Sequence, residues 1–293
     1  MTVKSSRSDI YAPNFNRESI SDEDLIRGFI LALGAGGRKA KSLTIYEDNI
    51  RRLSDFAQTF GLPDLPAMER TQIHHWLTSQ GSKPATVSVR YCSLNRFFNW
   101  YGVEEERSNN PMDRVDLPKI PSEIQAYYRP HDVETVLKTI LHSTPHNFRD
   151  AAMMMVLYDT GVRATELCLI KIEGLDWRDW TIIVTGKASK QRRVFIGHKT
   201  TPAIERYLRK RAFESDWLWL GFANKSLIIN RLRMMLQRRF NNARAKFRGA
   251  NAFRRGFSME YLTSGGQAGD LKELGDQENY AMVSRSAKSN AGE

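Results

Sequence analysis

Three short segments place cations where a cation can do chemistry. The first is TGVRATEL (160–167). Arg163 follows a glycine break at the end of an apolar helix, and Glu166 lies three residues on. A guanidinium there is expensive to bury unless it meets an anion. The alternative is a structural Arg163–Glu166 pair that closes a helix start, and the segment alone does not choose between them. The second is VTGKASKQRRVFIG (184–197). A β-turn presenting Lys187 and Lys190 can push an ammonium into a groove, although a lysine on a hairpin tip is also an ordinary solvated residue. The third is NAFRRGFSMEYL (251–262), with Arg254 and Arg255 one turn into a helix whose apolar face is Phe253, Phe257 and Leu262. Helix N-termini favour anions through their free N–H groups and dipole. One arginine reads as a phosphate contact, the other as a solvated or linker-facing charge. Such cations could serve a phosphate, where protein supplies mostly position and positive charge. Guanidinium matches phosphate bidentately and never deprotonates.

Elements must hold these segments in place. Residues 1–20 are polar and expected to be loose. Four helices follow in 21–105: Asp22–Leu33, Ser42–Gly61, Gln72–Ser79, and one opened by Pro84 that runs to about Tyr101. Lys83, Arg90 and Arg96 interleave with the apolar face of the last and give this domain basic edges. Residues 106–129 hold three prolines and no clear period, so they read as a linker. From 130 the pattern is helical again, with an almost wholly apolar run near Asp150–Tyr158 that marks a central helix. The period drops to two at TIIV (181–184) and RRVFIG (192–197), which predicts a small antiparallel sheet. Helices are expected over Pro202–Ala212, Ser226–Phe240, Asn251–Ser264 and Ala268–Leu274, and a last amphipathic piece covers Tyr280–Ser289. Arg231, Arg233, Arg238 and Arg239 are either backbone contacts or a solvated helix face. The fold class is mainly α, with one small sheet.

Composition narrows the partners. Of 293 residues, 44 are Lys or Arg and 33 Asp or Glu, a net charge of +11 that points to nucleic acid first and an anionic membrane second. No stretch is long and pure enough for a membrane span, and the start has no apolar signal region. Cys92 and Cys168 each sit in an apolar run and read as buried free thiols, in keeping with the cytoplasm. No CxxC or Cys/His cluster points to zinc, and no metal or other cofactor is expected.

The three segments, in this order, resemble the tyrosine recombinases, the phage integrase family. That family carries GxRxxEL, a hairpin with GKxxKxR, HxxRR at a helix start, and an LGGWxxxxMVxRYAx-type segment that supplies a tyrosine. Here those read GVRATEL, GKASKQR, NAFRR and LGDQENYAMVSRSAK. The resemblance covers all of 130–293, and the first domain fits the family's SAM-like core-binding arrangement. It implies that Arg163 and Arg254 hold the scissile phosphate, that Lys187 protonates the leaving 5′ oxygen, and that Glu166 orients Arg163. It also implies that Lys83, Arg90 and Arg96 form part of the other half of a C-shaped clamp on double-stranded DNA. Family members assemble on DNA by exchanging a C-terminal segment, so a dimer or tetramer is implied, in a prokaryotic cell or on a phage or other mobile element.

The chain departs from that pattern where chemistry is completed. Asn251 stands at the histidine of HxxR; it can donate a hydrogen bond but cannot exchange a proton near neutral pH. Gln277 stands at the second His/Trp position, beside Asp276. Ser286 stands at the nucleophilic tyrosine. A tyrosine hydroxyl has a pKa of about 10 and can ionise between two arginines. A serine hydroxyl is a far weaker acid and is shorter by a ring, and near-attack geometry tolerates little misplacement. Tyr280 precedes Ser286 by six residues, about 240° around a helix, so it faces elsewhere. The expectation is a duplex-DNA binder that no longer cuts. An active integrase, working through Tyr280 or a partner recombinase's tyrosine, is the first alternative, and a transcriptional regulator reusing the clamp is the second.

Overall fold

The computed structural model describes residues 20–79, 81–104, 109–116, 125–186, 189–267 and 269–271. The chain divides into two units, Met1–Ser122 and Glu123–Glu293. The described residues are mainly helical, with one three-stranded antiparallel sheet.

The first unit holds α1 (Asp22–Ala35), α2 (Ala40–Phe60), α3 (Arg70–Ser79) and α4 (Pro84–Glu104). Ser21 caps α1 by accepting the Asp24 N–H, and Asp22, Glu23 and Asp24 place negative charge at its positive end. Gly61 ends α2 in the left-handed region, at φ 61°. Phe29, Leu53, Trp76, Phe97 and Phe98 fill the core, with Phe29 meeting Phe97 edge-on at 5.4 Å between ring centroids. Met112 and Val115 are buried in the same core, so part of the span read as linker belongs to this unit. Cys92 is exposed, against expectation, because its helical position lies above Asn95 and Asn99 rather than Leu94 and Phe97.

The second unit begins its core at Tyr128, which is fully buried. Its helices are α5 (Pro130–Lys138), α6 (Pro145–Thr160), α7 (Ala164–Cys168), α8 (Thr200–Lys210), α9 (Ile229–Asn242) and α10 (Asn251–Thr263). Its strands are β1 (Leu175–Asp176), β2 (Thr181–Thr185) and β3 (Gln191–Phe195), in the order β1-β2-β3. Ile183 pairs with Arg193 and Val184 with Arg192, so Arg192, Val194 and Ile196 share the core-facing side of the hairpin. The short β1 was not expected, and α9 starts at Ile229 because Ser226 bridges to Leu220 instead. α6 is central, as its apolar run predicts: Ala152, Met153, Met154, Val156 and Leu157 are fully buried. No helix among the described residues is long and apolar enough to cross a membrane.

α6 also buries a charge. The Asp150 carboxylate is 0% exposed and receives Arg149, from Nη2 at 3.0 Å, and Arg239, from Nη2 at 2.6 Å. Arg238 approaches it at 3.5 Å. Asp159, near the end of α6, reaches across to the start of α8, where its carboxylate accepts the Gly197 N–H at 3.0 Å and the Thr200 hydroxyl.

Candidate phosphate-binding site

The site is assembled where α6 stops. Gly161 ends the helix at φ 59°, and a Cβ there would lie 2.5 Å from Phe257 Cδ1. Only glycine fits both the left-handed turn and the approach of α10. The freed Gly161 carbonyl accepts Arg254 Nη1 at 2.7 Å. Two residues later the chain enters α7, with Arg163 as its N-cap. One glycine turn therefore serves both arginines: it receives one and launches the other.

Glu166 is the electrostatic centre. Its side chain is 1% exposed. Arg163 donates its backbone N–H to Oε2 and its Nη1 to Oε1, both at 2.9 Å. Arg192, from β3, donates Nη1 to Oε1 at 2.9 Å and Nη2 to Oε2 at 2.8 Å. Burial alone would raise the Glu166 pKa, but the Arg192 fork, the Arg163 N–H and the Arg163 guanidinium outweigh it and hold the carboxyl at about 2. The structural pair is therefore present, and the Arg163 side chain remains 30% exposed.

A pH dependence follows from that depressed value. Glu166 contributes stability that is fully present above its ordinary value of 4.5 and is lost as pH falls toward about 2. Urea unfolding followed down through this window is expected to show a shallower loss in Glu166→Gln than in the parent chain. Equal slopes would mean that Glu166 is not held ionised.

α10 delivers the rest. Asn251 is its first residue and is exposed, while Arg254 sits one turn in and is 5% exposed. Arg255 turns away from the site and donates Nε and Nη2 to the Ala126 carbonyl, at 2.8 and 2.6 Å. It is the linker-facing arginine of the pair. Gly186 closes the β2–β3 turn through its N–H to the Lys190 carbonyl at 2.7 Å, and Lys190 is exposed. Lys187, Asp276, Gln277, Tyr280 and Ser286 lie outside the described residues, as do most of the short helix expected at Ala268–Leu274 and all of the amphipathic piece at Tyr280–Ser289.

Two further assignments change. Arg90 is 8% exposed and packs over the Trp76 ring at 5.5 Å, with Nη1 donating to Ser82 Oγ at 3.0 Å. Arg239 is 12% exposed and forks onto Asp150. Both have partners within the fold, Ser82 and the Trp76 ring for Arg90, Asp150 and Asn147 for Arg239. Lys83, Arg96, Arg231, Arg233 and Arg238 are exposed. Arg192 was missed as a site residue; its signal was the final arginine of GKASKQR, placed on the same strand face as Val194.

Residues 127–293 match the phage integrase family. The tyrosine recombinase XerD of Listeria monocytogenes is 30% identical over 216 residues, covering 70% of this chain and 73% of the relative. The tyrosine recombinase XerC of Halalkalibacterium halodurans is 24% identical over 279 residues, covering 90% and 92%. Two solved structures share the fold. The site-specific recombinase XerH, bound to palindromic difH substrate in a post-cleavage complex, matches with a TM-score of 0.74 at 17% identity, over 94% of this chain and 84% of that one. A lambda integrase dimer bound to a COC′ core site matches with a TM-score of 0.72 at 15% identity, over 89% and 96%. The family match over more than half of the chain and the recombinase relatives along most of it lead to one assignment: this chain belongs to the phage integrase family, the tyrosine recombinases.

Proposed function

We propose that this chain grips duplex DNA by its phosphates through Arg163 and Arg254, and that it does not cut the strand with a hydroxyl of its own. The observation that carries the reading is the Glu166 centre beside the Gly161 turn. Arg163 is locked in direction and Arg254 is seated on a backbone carbonyl, while the sequence places Ser286 at the position of the nucleophile. Bidentate cations in a fixed frame suit a phosphate in its ground state as well as in transfer. Lys187 would act as the proton donor to a leaving oxygen. Asn251, exposed at the start of α10, can add a hydrogen bond but no proton transfer.

Lys83, Arg96, Lys190, Arg231, Arg233 and Arg238 supply sequence-independent backbone contacts in this reading, in line with the net charge of +11. The XerH and lambda integrase structures of the same fold are DNA complexes, and a lambda integrase tetramer on a Holliday junction matches with a TM-score of 0.71. These support a DNA partner and an oligomer on that DNA. In this reading the chain works in the cytoplasm of a prokaryotic cell.

A suicide substrate tests the reading. A duplex enriched by the chain from a random pool is nicked so that a cleaved strand cannot religate, then incubated with the native chain. The expected result is a retarded complex on a native gel and no covalent adduct under denaturing conditions. A covalent adduct would remove the claim of inactivity, and Tyr280→Phe would then show whether Tyr280 formed it.

A further inference from the structure

We propose that Arg192 is a positioning residue for the phosphate grip, acting through Glu166 on Arg163; the proposal rests on the phosphate-binding reading above. Glu166 stands on α7, a helix of five residues, too short to hold a long side chain by itself. The terminal torsion of a glutamate is broad, and the Arg163 N–H holds only one of the two oxygens, so the carboxylate plane needs a further donor. Arg192 sets it. Its fork spans both oxygens, at 2.9 and 2.8 Å, from a strand whose register is fixed by the Val184–Arg192 pairing. Arg163 then meets the same two oxygens, one with its backbone N–H and one with Nη1. The direction of the Arg163 guanidinium is thus inherited from the carboxylate plane, and that plane from β3.

The arrangement also accounts for the placement of Arg192. It projects from the core-facing side of the hairpin, on the side of Val184, Val194 and Ile196, where an arginine without a carboxylate would be costly. A purely stabilising ion pair would be served by Arg192 and Glu166 alone. Here the carboxylate is shared, and the second arginine keeps a surface. Lysine could neutralise Glu166 from the same position but is a point charge, unable to fix a plane.

The experiment compares Arg192→Lys, Arg163→Ala and the double variant with the parent chain. Each is titrated with a mixed-sequence duplex oligonucleotide over a range of salt, and thermal unfolding is recorded for each. One phosphate contact contributes roughly one unit to the slope of log affinity against log salt. Arg163→Ala is expected to shallow the slope by that amount. Arg192→Lys is expected to shallow it equally, although it keeps the charge, and the double variant is expected to match either single. A parental slope in Arg192→Lys, with only a lower melting temperature, would reduce Arg192 to a structural role and overturn the proposal. A double variant that loses twice the slope would make Arg192 an independent phosphate contact and overturn it as well. A parental slope in Arg163→Ala would remove the phosphate grip itself and the role of Arg192 with it. Should Arg192→Lys fail to fold, Glu166→Gln combined with Arg192→Gln removes both buried charges together, and the same loss of slope is expected.

Discussion

Gly161→Val is expected to weaken the fold and the hold on DNA together. At φ 59° a side-chain-bearing residue sits in the left-handed region, which costs roughly 1–2 kcal/mol and more when the side chain is branched at Cβ. The new Cβ would fall 2.5 Å from Phe257 Cδ1 and 2.9 Å from its Cγ, a clash that the packed α6–α10 contact relieves only by moving. Overpacking of that kind adds about 1–3 kcal/mol. A loss of about 2–5 kcal/mol is therefore expected in urea unfolding. The same movement shifts the carbonyl that receives Arg254 at 2.7 Å. Duplex binding should lose roughly one unit of salt slope, as it would if the arginine contact were deleted. Phe257→Ala in the Gly161→Val background should recover part of the stability, because it removes the clash but not the backbone strain. An unfolding midpoint unchanged in Gly161→Val would refute the account of this turn.

Asp150→Ala is expected to be at least as damaging to the fold, although it lies away from the proposed grip. The carboxylate is fully buried and receives Arg149 and Arg239, with Arg238 near. Removing it leaves two nearly buried guanidinium groups without their counter-charge. Breaking one side of a buried pair costs about 3–5 kcal/mol, a large part of the 5–15 kcal/mol that holds a typical domain together. The expected result is a chain unfolded or close to unfolding at 37 °C, seen as loss of the cooperative thermal transition. Asp150→Asn keeps the shape and loses the charge, so it should fall close to the alanine variant. If it were instead as stable as the parent, the charge would contribute little and the account of Arg239 as an interior residue would fail. Arg238→Ala is the contrast: at 61% exposure, its ion pair is worth little to the fold.

The sequence made the frame of the site readable because its signals were local. A glycine after an apolar run, then Arg163 and Glu166 three apart, describes a helix stop and an N-capped restart, and both are present. The two-residue period of TIIV and RRVF located the hairpin, and the apolar run at 150–158 located the central helix. The errors at the charged residues were of one kind: charge was read as exposure. Arg90 is followed by Leu94 and Phe97 at helical spacing, and Arg239 is preceded by Leu232, Met235 and Leu236. Each lies on the buried stripe of its helix, and the partner that makes this tolerable is distant in sequence: Trp76 for one, Asp150 for the other. Arg192 was missed because its partner lies 26 residues away. Long-range pairing of charges is what a periodicity argument lacks. The β1 strand escaped because two residues carry no period.

The Glu166 centre has a consequence for how such a chain changes under mutation. Arg163, Arg192 and Arg254 are woven into the interior through a buried carboxylate and a helix-ending carbonyl. Selection for folding alone would keep them, whatever became of catalysis. Asn251 projects from the exposed first position of α10, where substitution perturbs no packing. Drift in a lineage that had stopped cutting DNA would therefore reach position 251 long before the three arginines. An intact arginine set is thus a record of what the fold requires, and activity has to be read from the positions that the fold leaves free to vary.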